Sequence, residues 1–542
     1  MFRKKLLFSL VICFALTSCD WFSKKLENKE QSQKIEDRKF YGSLVESDGY
    51  TGFEFSVSEN EIKKPASGTA KINIIGFNDF HGVINETESE IGLKRIGTFF
   101  KENSKNANTL IFDQGDTWQG SFESNYSYGE IIQDVFCEAG VNLRTIGNHD
   151  FDWGISKLEN LCDTNKENYI PTLGANIYNY ENGDIGETQQ VQFGKEYATF
   201  VLESGVKVGV VGVIGDSETE SISSQIIQNI AFSNQNEKTK EISDFLRVEK
   251  KCDVVIASIH DYASMNLRKG LTDISSNSGK RYVDLVLNGH SHSASVAKEN
   301  GVSFVQWDAN GTTLGKVTLE YDFSTNKILE NKTKITNYNK NSLPVPSNQI
   351  DSKINQIIDS KLLTINEIGK EKLQSNFKNY WSSESLADLM AEAIYNEVSY
   401  SGEQIDFAVC NYARSDFSKT EMLYTDLYKC FPFDNQIILM DITGSTAIGS
   451  ILSNFSYREN ISTRLTPSKT FRIAIIDYLG LHQDSKREYD YFPECSNISI
   501  FKNSDGEEPI YRELLANFLR SNQDISFDSS SYNSNNMHFR VN

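Results

Sequence analysis

Short apolar, β-branched runs recur along the chain from Lys71: KINIIGFND, NTLIFDQGD, VNLRTIGNHD, VKVGVVGVIG, KCDVVIASIHD and YVDLVLNGHSH. Most end in polar residues or glycine. Between some of them lie stretches with helical spacing, such as IGLKRIGTFFKENS and GEIIQDVFCEAG. The alternation predicts a layered α/β domain over residues 70–335, with its chemistry beyond the carboxyl ends of the strands. The Pro-, Asn- and Ser-rich NKNSLPVPSNQ reads as a linker, and IDSKINQIIDSKLLTINEIG follows as a helix bridging to a second domain. Linker and bridge occupy 336–365, and the second domain 366–542. That domain opens with a helix over SESLADLMAEAIYNEV, on which Asp388 reads as solvated or capping. Strand-like runs follow at QIILMDITG and FRIAIIDYLG.

The amino-terminal pattern is of another kind. MFRKK is basic, and LLFSLVICFAL is an apolar run too short for a comfortable bilayer span. LTSC, Leu16 to Cys19, looks like a bacterial lipobox. The resemblance implies removal of residues 1–18 and lipid attachment at Cys19. The body would then be anchored in the cell envelope, facing the periplasm or exterior. Residues 19–69 are polar and charge-mixed and read as a tether. No other segment is apolar enough to span a bilayer.

Apolar residues make up 39% of the 542 residues, enough for real cores. A formal charge of −20 disfavours binding to nucleic-acid polymers. It leaves small anions open, because metals or arginines reverse the field inside a cleft. Beyond Cys13 and Cys19 stand Cys137, Cys162, Cys252, Cys410, Cys430 and Cys495. An exported chain could pair them, but no CxxC motif suggests a thiolate zinc site.

Histidine placement is more informative. The chain has seven histidines. His81, His149, His260, His290 and His292 all fall at predicted strand ends of the first domain. With Asp79, Asp116 and Asn148 they form a coherent set of metal ligands. The segment GNHDFDWG concentrates an amide, an imidazole and carboxylates where a buried strand has no use for them.

NDFHG, DQGDTWQGS, GNHDFDWG and NGHSH, in that order, resemble the calcineurin-like metallophosphoesterases. TLGANI and the second domain narrow the resemblance to the bacterial and animal 5′-nucleotidases. It implies an α/β/β/α sandwich followed by a smaller α+β substrate domain. It also implies two divalent ions, of zinc, manganese, iron or cobalt. Two such ions about 3.5–4 Å apart activate water and clamp phosphoryl oxygens. By the resemblance Asp116 bridges the ions, Asp79, His81 and His292 complete one site, and Asn148, His260 and His290 complete the other. His149 would face the substrate phosphate, oriented and kept protonated by Asp152. Asp150 reads as a turn or supporting residue.

In the second domain CFPFDN resembles the family's base-stacking turn and assigns that role to Phe433. DYLGLHQD aligns with a second stacking aromatic and a later aspartate, here Tyr478 and Asp484. The family's glycine-rich, arginine-bearing loop is replaced by CNYARSDF, where Arg414 is the candidate. No arginine precedes the ESLADL helix, and His482 and Gln483 replace a glycine pair. The expected function is hydrolysis of nucleotide phosphate esters by a monomer. Alternatives are a 2′,3′-cyclic-nucleotide phosphodiesterase, a nucleotide-sugar hydrolase, or a surface lipoprotein that binds nucleotide or a partner with weak catalysis.

Overall fold

The apolar runs become strands of two facing sheets. The computed structural model describes residues 40–179, 189–223, 226–446, 466–481, 492 and 494–532. One sheet takes Lys327–Ile328, Thr313–Asp322, Thr69–Phe77, Thr109–Asp113, Leu143–Thr145 and Thr172–Leu173 in spatial order. The other takes Tyr41–Ser47, Tyr50–Ser56, Tyr197–Val201, Lys207–Ile214, Val254–His260, Leu285–Asn288, Val302–Gln306 and Ser295–Glu299. Alternate residues of each strand face opposite ways. Ile72, Ile74, Val208, Val210, Val254 and Ile256 therefore fill the space between the sheets. Val211, Val213, Val255 and Ala257 face outward under the helix Gln235–Val248. On the opposite side Ile75 and Phe77 pack with Phe99, Phe100 and Phe136 of the helices Leu93–Ser104 and Glu130–Ala139. Layers of helix, sheet, sheet and helix result, with both faces of each central strand dry, as the near-continuous apolar runs require.

Two segments differ from the sequence reading. Part of the supposed tether is a hairpin, Tyr41–Ser47 with Tyr50–Ser56, whose second strand pairs in parallel with Tyr197–Val201. Asp48 and Gly49 turn it with φ of 53° and 86°, as a two-residue mirror-image turn requires. The first domain also runs past 335, because Lys334–Asn339 pairs antiparallel with Thr313–Asp322.

Asp351 caps the helix Ser352–Gly369 by accepting from the N–H groups of Lys353 (3.0 Å) and Ile354 (3.1 Å). Its buried stripe, Ile354, Ile358, Leu362 and Ile365, recurs at helical spacing. It packs on the helices Leu93–Ser104 and Glu130–Ala139, and also on Tyr424–Cys430 of the second domain. That domain holds a four-stranded sheet, in the order Phe407–Val409, Thr470–Ile476, Ile437–Thr443 and Cys495–Ile500. The helices Ser383–Tyr400 and Tyr511–Ser521 pack against each other beside it. Phe122 meets Tyr424 and Tyr428 edge-on at 5.7 and 5.3 Å, so one apolar core joins the domains. Asp388 is buried, not solvated. Cys162, Cys252, Cys410 and Cys430 are buried thiols outside any disulfide. Among the described residues no helix is long and apolar enough to cross a membrane.

Candidate metal centre and adjoining cleft

Parallel pairing sets Phe77 beside Asp113, Asp113 beside Arg144, and Ile259 beside Asn288. The polar residues that follow these strand ends therefore emerge together. Their backbone is unusual. Asp79, His81, Asp116, His290 and His292 have φ of 48°, 48°, 56°, 73° and 57°. Side-chain-bearing residues rarely adopt the left-handed region, at a cost of about 1–3 kcal/mol each. The surrounding loops hold them there. Asp79 N–H donates to Gly115 O (3.0 Å) and His81 N–H to Asp116 O (3.0 Å). Gly147 must lack a side chain, since a Cβ there would lie 2.2 Å from Asp116 Oδ1. Asp150 binds the same turns, accepting from the N–H groups of Asp116 (3.1 Å), Thr117 (2.9 Å) and Gly147 (2.9 Å). It is a supporting residue.

Ligand atoms of Asp79, His81, Asp116 and His292 all lie within 4.8 Å of one another, a set that could hold a metal ion. His81 Nε2 and His292 Nε2 stand 3.0 Å apart. Beside them, His260 Nε2 is 3.1 Å from Asn148 Oδ1 and 3.3 Å from Asp116 Oδ2. His290 Nδ1 is 3.1 Å from the same Asn148 oxygen. Asp116 thus touches both groups. Its Oδ2 is buried with no aligned hydrogen-bond donor, and a buried anionic oxygen left so calls for a cation. The far nitrogens of two rings meet backbone carbonyls, His81 Nδ1 at Gln119 (3.1 Å) and His260 Nδ1 at Gln114 (2.8 Å). These contacts turn each Nε2 inward, as metal-binding histidines need. Burial pulls the His81 imidazole down to about 3. Burial and the neighbouring His260 pull His290 down to about 4. Both are neutral donors near pH 7. The donor set fits divalent metal on every one of these counts.

His149 turns elsewhere. Its N–H donates to Asp116 Oδ1 (2.8 Å), while its ring Nδ1 pairs with Asp152 Oδ2 at 2.9 Å. Burial opposes its charge, but Asp152 and Asp116 outweigh burial and raise the imidazolium to about 9. The ring lies parallel to Phe433 at 6.0 Å. Here a cleft of about 540 Å³ opens, lined by His149, Asp152, Arg414, Phe433 and Tyr478 among others. The Arg414 guanidinium is 5.2 Å from the Phe433 ring centre. The candidates from both domains therefore meet in one space. Asp484 and Cys19 lie outside the described residues.

The sequence reading missed other parts of this cleft. Asn435 and Asp477 line it. Arg512 donates to the carbonyls of Phe431 (2.9 Å) and Phe433 (2.8 Å) and so fixes the aromatic turn. No motif marks Arg512, though CFPFDN could have flagged Asn435. Glu218 reaches His290 from a neighbouring loop, with Oε2 3.2 Å from Nδ1.

Sheets whose strands end beside clustered Asp, His and Asn side chains suit metal-assisted ester chemistry. Residues 72–294 match the calcineurin-like phosphoesterase family, a class of phosphoric ester hydrolases that uses two divalent metal ions. The chain's relatives include several 5′-nucleotidases. The 5′-nucleotidase of Vibrio vulnificus is 22% identical, over 71% of this chain and 75% of its own length. An endonuclease of Bacillus subtilis is also 22% identical, over 80% of this chain, but the match spans 35% of that longer protein. The crystal structure of a 5′-nucleotidase precursor from Thermus thermophilus shares the fold. Its TM-score is 0.64 at 16% identity, covering 83% of this chain and 96% of that one.

Proposed function

We propose that the protein hydrolyses nucleotide phosphate esters outside the cytoplasm by in-line attack of water. The observation that supports this most is the junction of the two ligand groups with an aromatic cleft through one residue, His149. In this reading Asp79, His81 and His292 hold one ion, Asn148, His260 and His290 hold the other, and Asp116 reaches both. Bound there, divalent ions supply a nucleophile at neutral pH and neutralise developing charge. The protein supplies the rest. Asn148 coordinates without adding negative charge against an anionic substrate. His149, held cationic by Asp152, donates a hydrogen bond to the phosphoryl or leaving oxygen. Phe433 and Tyr478 hold the base between their faces, with Arg414 beside Phe433. Lipidation at Cys19 would keep the enzyme in the envelope, where nucleotides are dephosphorylated before nucleoside uptake. A mature amino-terminal peptide without lipid at Cys19, seen by mass spectrometry, would refute the anchor.

The test is phosphate release from nucleoside 5′-monophosphates, 2′,3′-cyclic nucleotides, nucleotide sugars and p-nitrophenyl phosphate, with defined metals and with chelator. Metal-dependent release from 5′-monophosphates supports the proposal. Turnover of p-nitrophenyl phosphate alone would refute the nucleotide part.

Phe433 gives a sharper check. Stacking holds the base, not the reacting phosphoryl group, and contributes mostly uniform binding. Phe433→Ala should raise KM for a nucleoside monophosphate about 5- to 150-fold, the equivalent of about 1–3 kcal/mol. Hydrolysis of p-nitrophenyl phosphate should change little. An equal loss on both substrates would make Phe433 a packing residue.

A further inference from the structure

The strand Lys207–Ile214 supplies none of the ligands assigned above. Yet it pairs in parallel with Val254–His260, and Ile214 stands in register with His260. The loop after Ile214 therefore leaves the sheet beside the metal centre, and it is tied down. Gly215 N–H donates to His260 O (3.1 Å), and Glu218 N–H to Gly215 O (3.1 Å). Asp216 receives Asn234 Nδ2 at 3.0 Å, and its own N–H donates to Gln235 Oε1 at 3.0 Å. So held, the loop turns Glu218 inward until its side chain is 5% exposed, with Oε2 3.2 Å from His290 Nδ1.

That nitrogen is the one facing Asn148 Oδ1 at 3.1 Å. Glu218 thus meets the metal side of His290, not its back. Its Oε2 is buried and has no aligned hydrogen-bond donor. A carboxylate placed only to orient His290 would take the outward N–H, as Gln114 O does for His260. A buried carboxyl oxygen without a donor, aimed among candidate ligand atoms, is instead placed to meet a cation.

We propose that Glu218 is a further ligand of the ion held by Asn148, His260 and His290. The inference rests on the two-ion reading above. An added carboxylate gives that position a second anionic oxygen besides the shared Asp116. It strengthens the site for oxygen-preferring ions such as manganese. It also restores negative charge that the neutral Asn148 leaves out.

The experiment is calorimetric titration of the metal-stripped full chain with Mn²⁺. Wild type should take up two equivalents. Glu218→Gln, which keeps size and polarity, should hold the first at wild-type affinity and bind the second about 10–100-fold more weakly. Glu218→Asp, one methylene shorter, should fall between, and supplies the answer if the glutamine variant melts early. In a His290→Ala background Glu218→Gln should weaken the second equivalent further, because the carboxylate meets the ion itself. No further effect there would mean that Glu218 acts only through His290, and would overturn the proposal. So would wild-type affinity for both equivalents in Glu218→Gln and Glu218→Asp. If wild type itself takes up fewer than two, the two-ion reading falls, and this inference with it.

Discussion

Asp116→Asn is expected to lower turnover by at least about 10²-fold and to release metal from both positions together. Asp116 is the one carboxylate that belongs to the four-residue cluster and also stands 3.3 Å from His260 of the neighbouring group. Asparagine preserves its shape and can still accept from the His149 N–H. What it removes is the charge. With that charge gone, the first group keeps Asp79 as its anion, and the second, among the family-assigned ligands, keeps none. His290→Ala should behave differently, depleting mainly one position. Elemental analysis of the purified variants, read beside phosphate release, separates the cases. An Asp116→Asn protein that keeps wild-type metal content and rate would overturn the ligand assignment.

His149→Ala should keep its metal and lose about 10²–10⁴ in kcat. The His149 backbone N–H bonds Asp116, and the ring stands edge-on to His81 at 5.4 Å. The ring's hydrogen bond goes to Asp152 beside the cleft, so its nitrogens are not turned to the ligand cluster. Metal content should therefore survive removal of the ring. The charge should also appear in the pH profile. The imidazolium is raised to about 9, above the unperturbed value of about 6.5. Its charged form thus prevails at neutral pH, and kcat should decline on an alkaline limb at or below pH 9. The same shift favours the folded state below the unfolded value and fades as pH rises through the folded one. In Asp152→Asn the first of the groups that raise it is gone, so the limb should move to lower pH with a milder loss of rate. Metal lost in step with activity in His149→Ala would place His149 among the ligands. An alkaline limb that stays in place in Asp152→Asn would separate it from His149.

Much of the candidate site was legible because each candidate ligand sits where an apolar run stops. A strand buried on both faces reads as a continuous apolar stretch, so an abrupt Asp, His or Asn at its end stands out. The missed parts lack that contrast. Glu218 follows a strand whose end runs into glycine, and its short 3-10 segment DSETES reads in sequence like any polar turn. Arg512 acts through backbone carbonyls 79 and 81 residues away, a distance no local pattern encodes. Asp388 carries the charge of a surface residue on a helix whose packing against Tyr511–Ser521 is set by the second domain's tertiary structure. The hairpin at Tyr41–Ser56 was open to detection, since Asp-Gly between β-prone residues is a strong turn signal. It was outweighed by the polar, charge-mixed composition before it.

The left-handed backbone at Asp79, His81, Asp116, His290 and His292 should also make the protein's heat tolerance depend on metal supply. The folded chain holds those loops against their own preference and keeps a buried carboxylate oxygen without a donor, while the unfolded chain does neither. An ion that binds only the folded state offsets the cost by mass action. Free metal at a hundred times its dissociation constant contributes about 2.7 kcal/mol for each such site. Melting temperature should climb with the logarithm of free metal and drop on adding chelator. A melting curve indifferent to chelator would mean that hydrogen bonding alone sustains these loops. Otherwise the local free-metal level would set how long each molecule lasts as well as how fast it works.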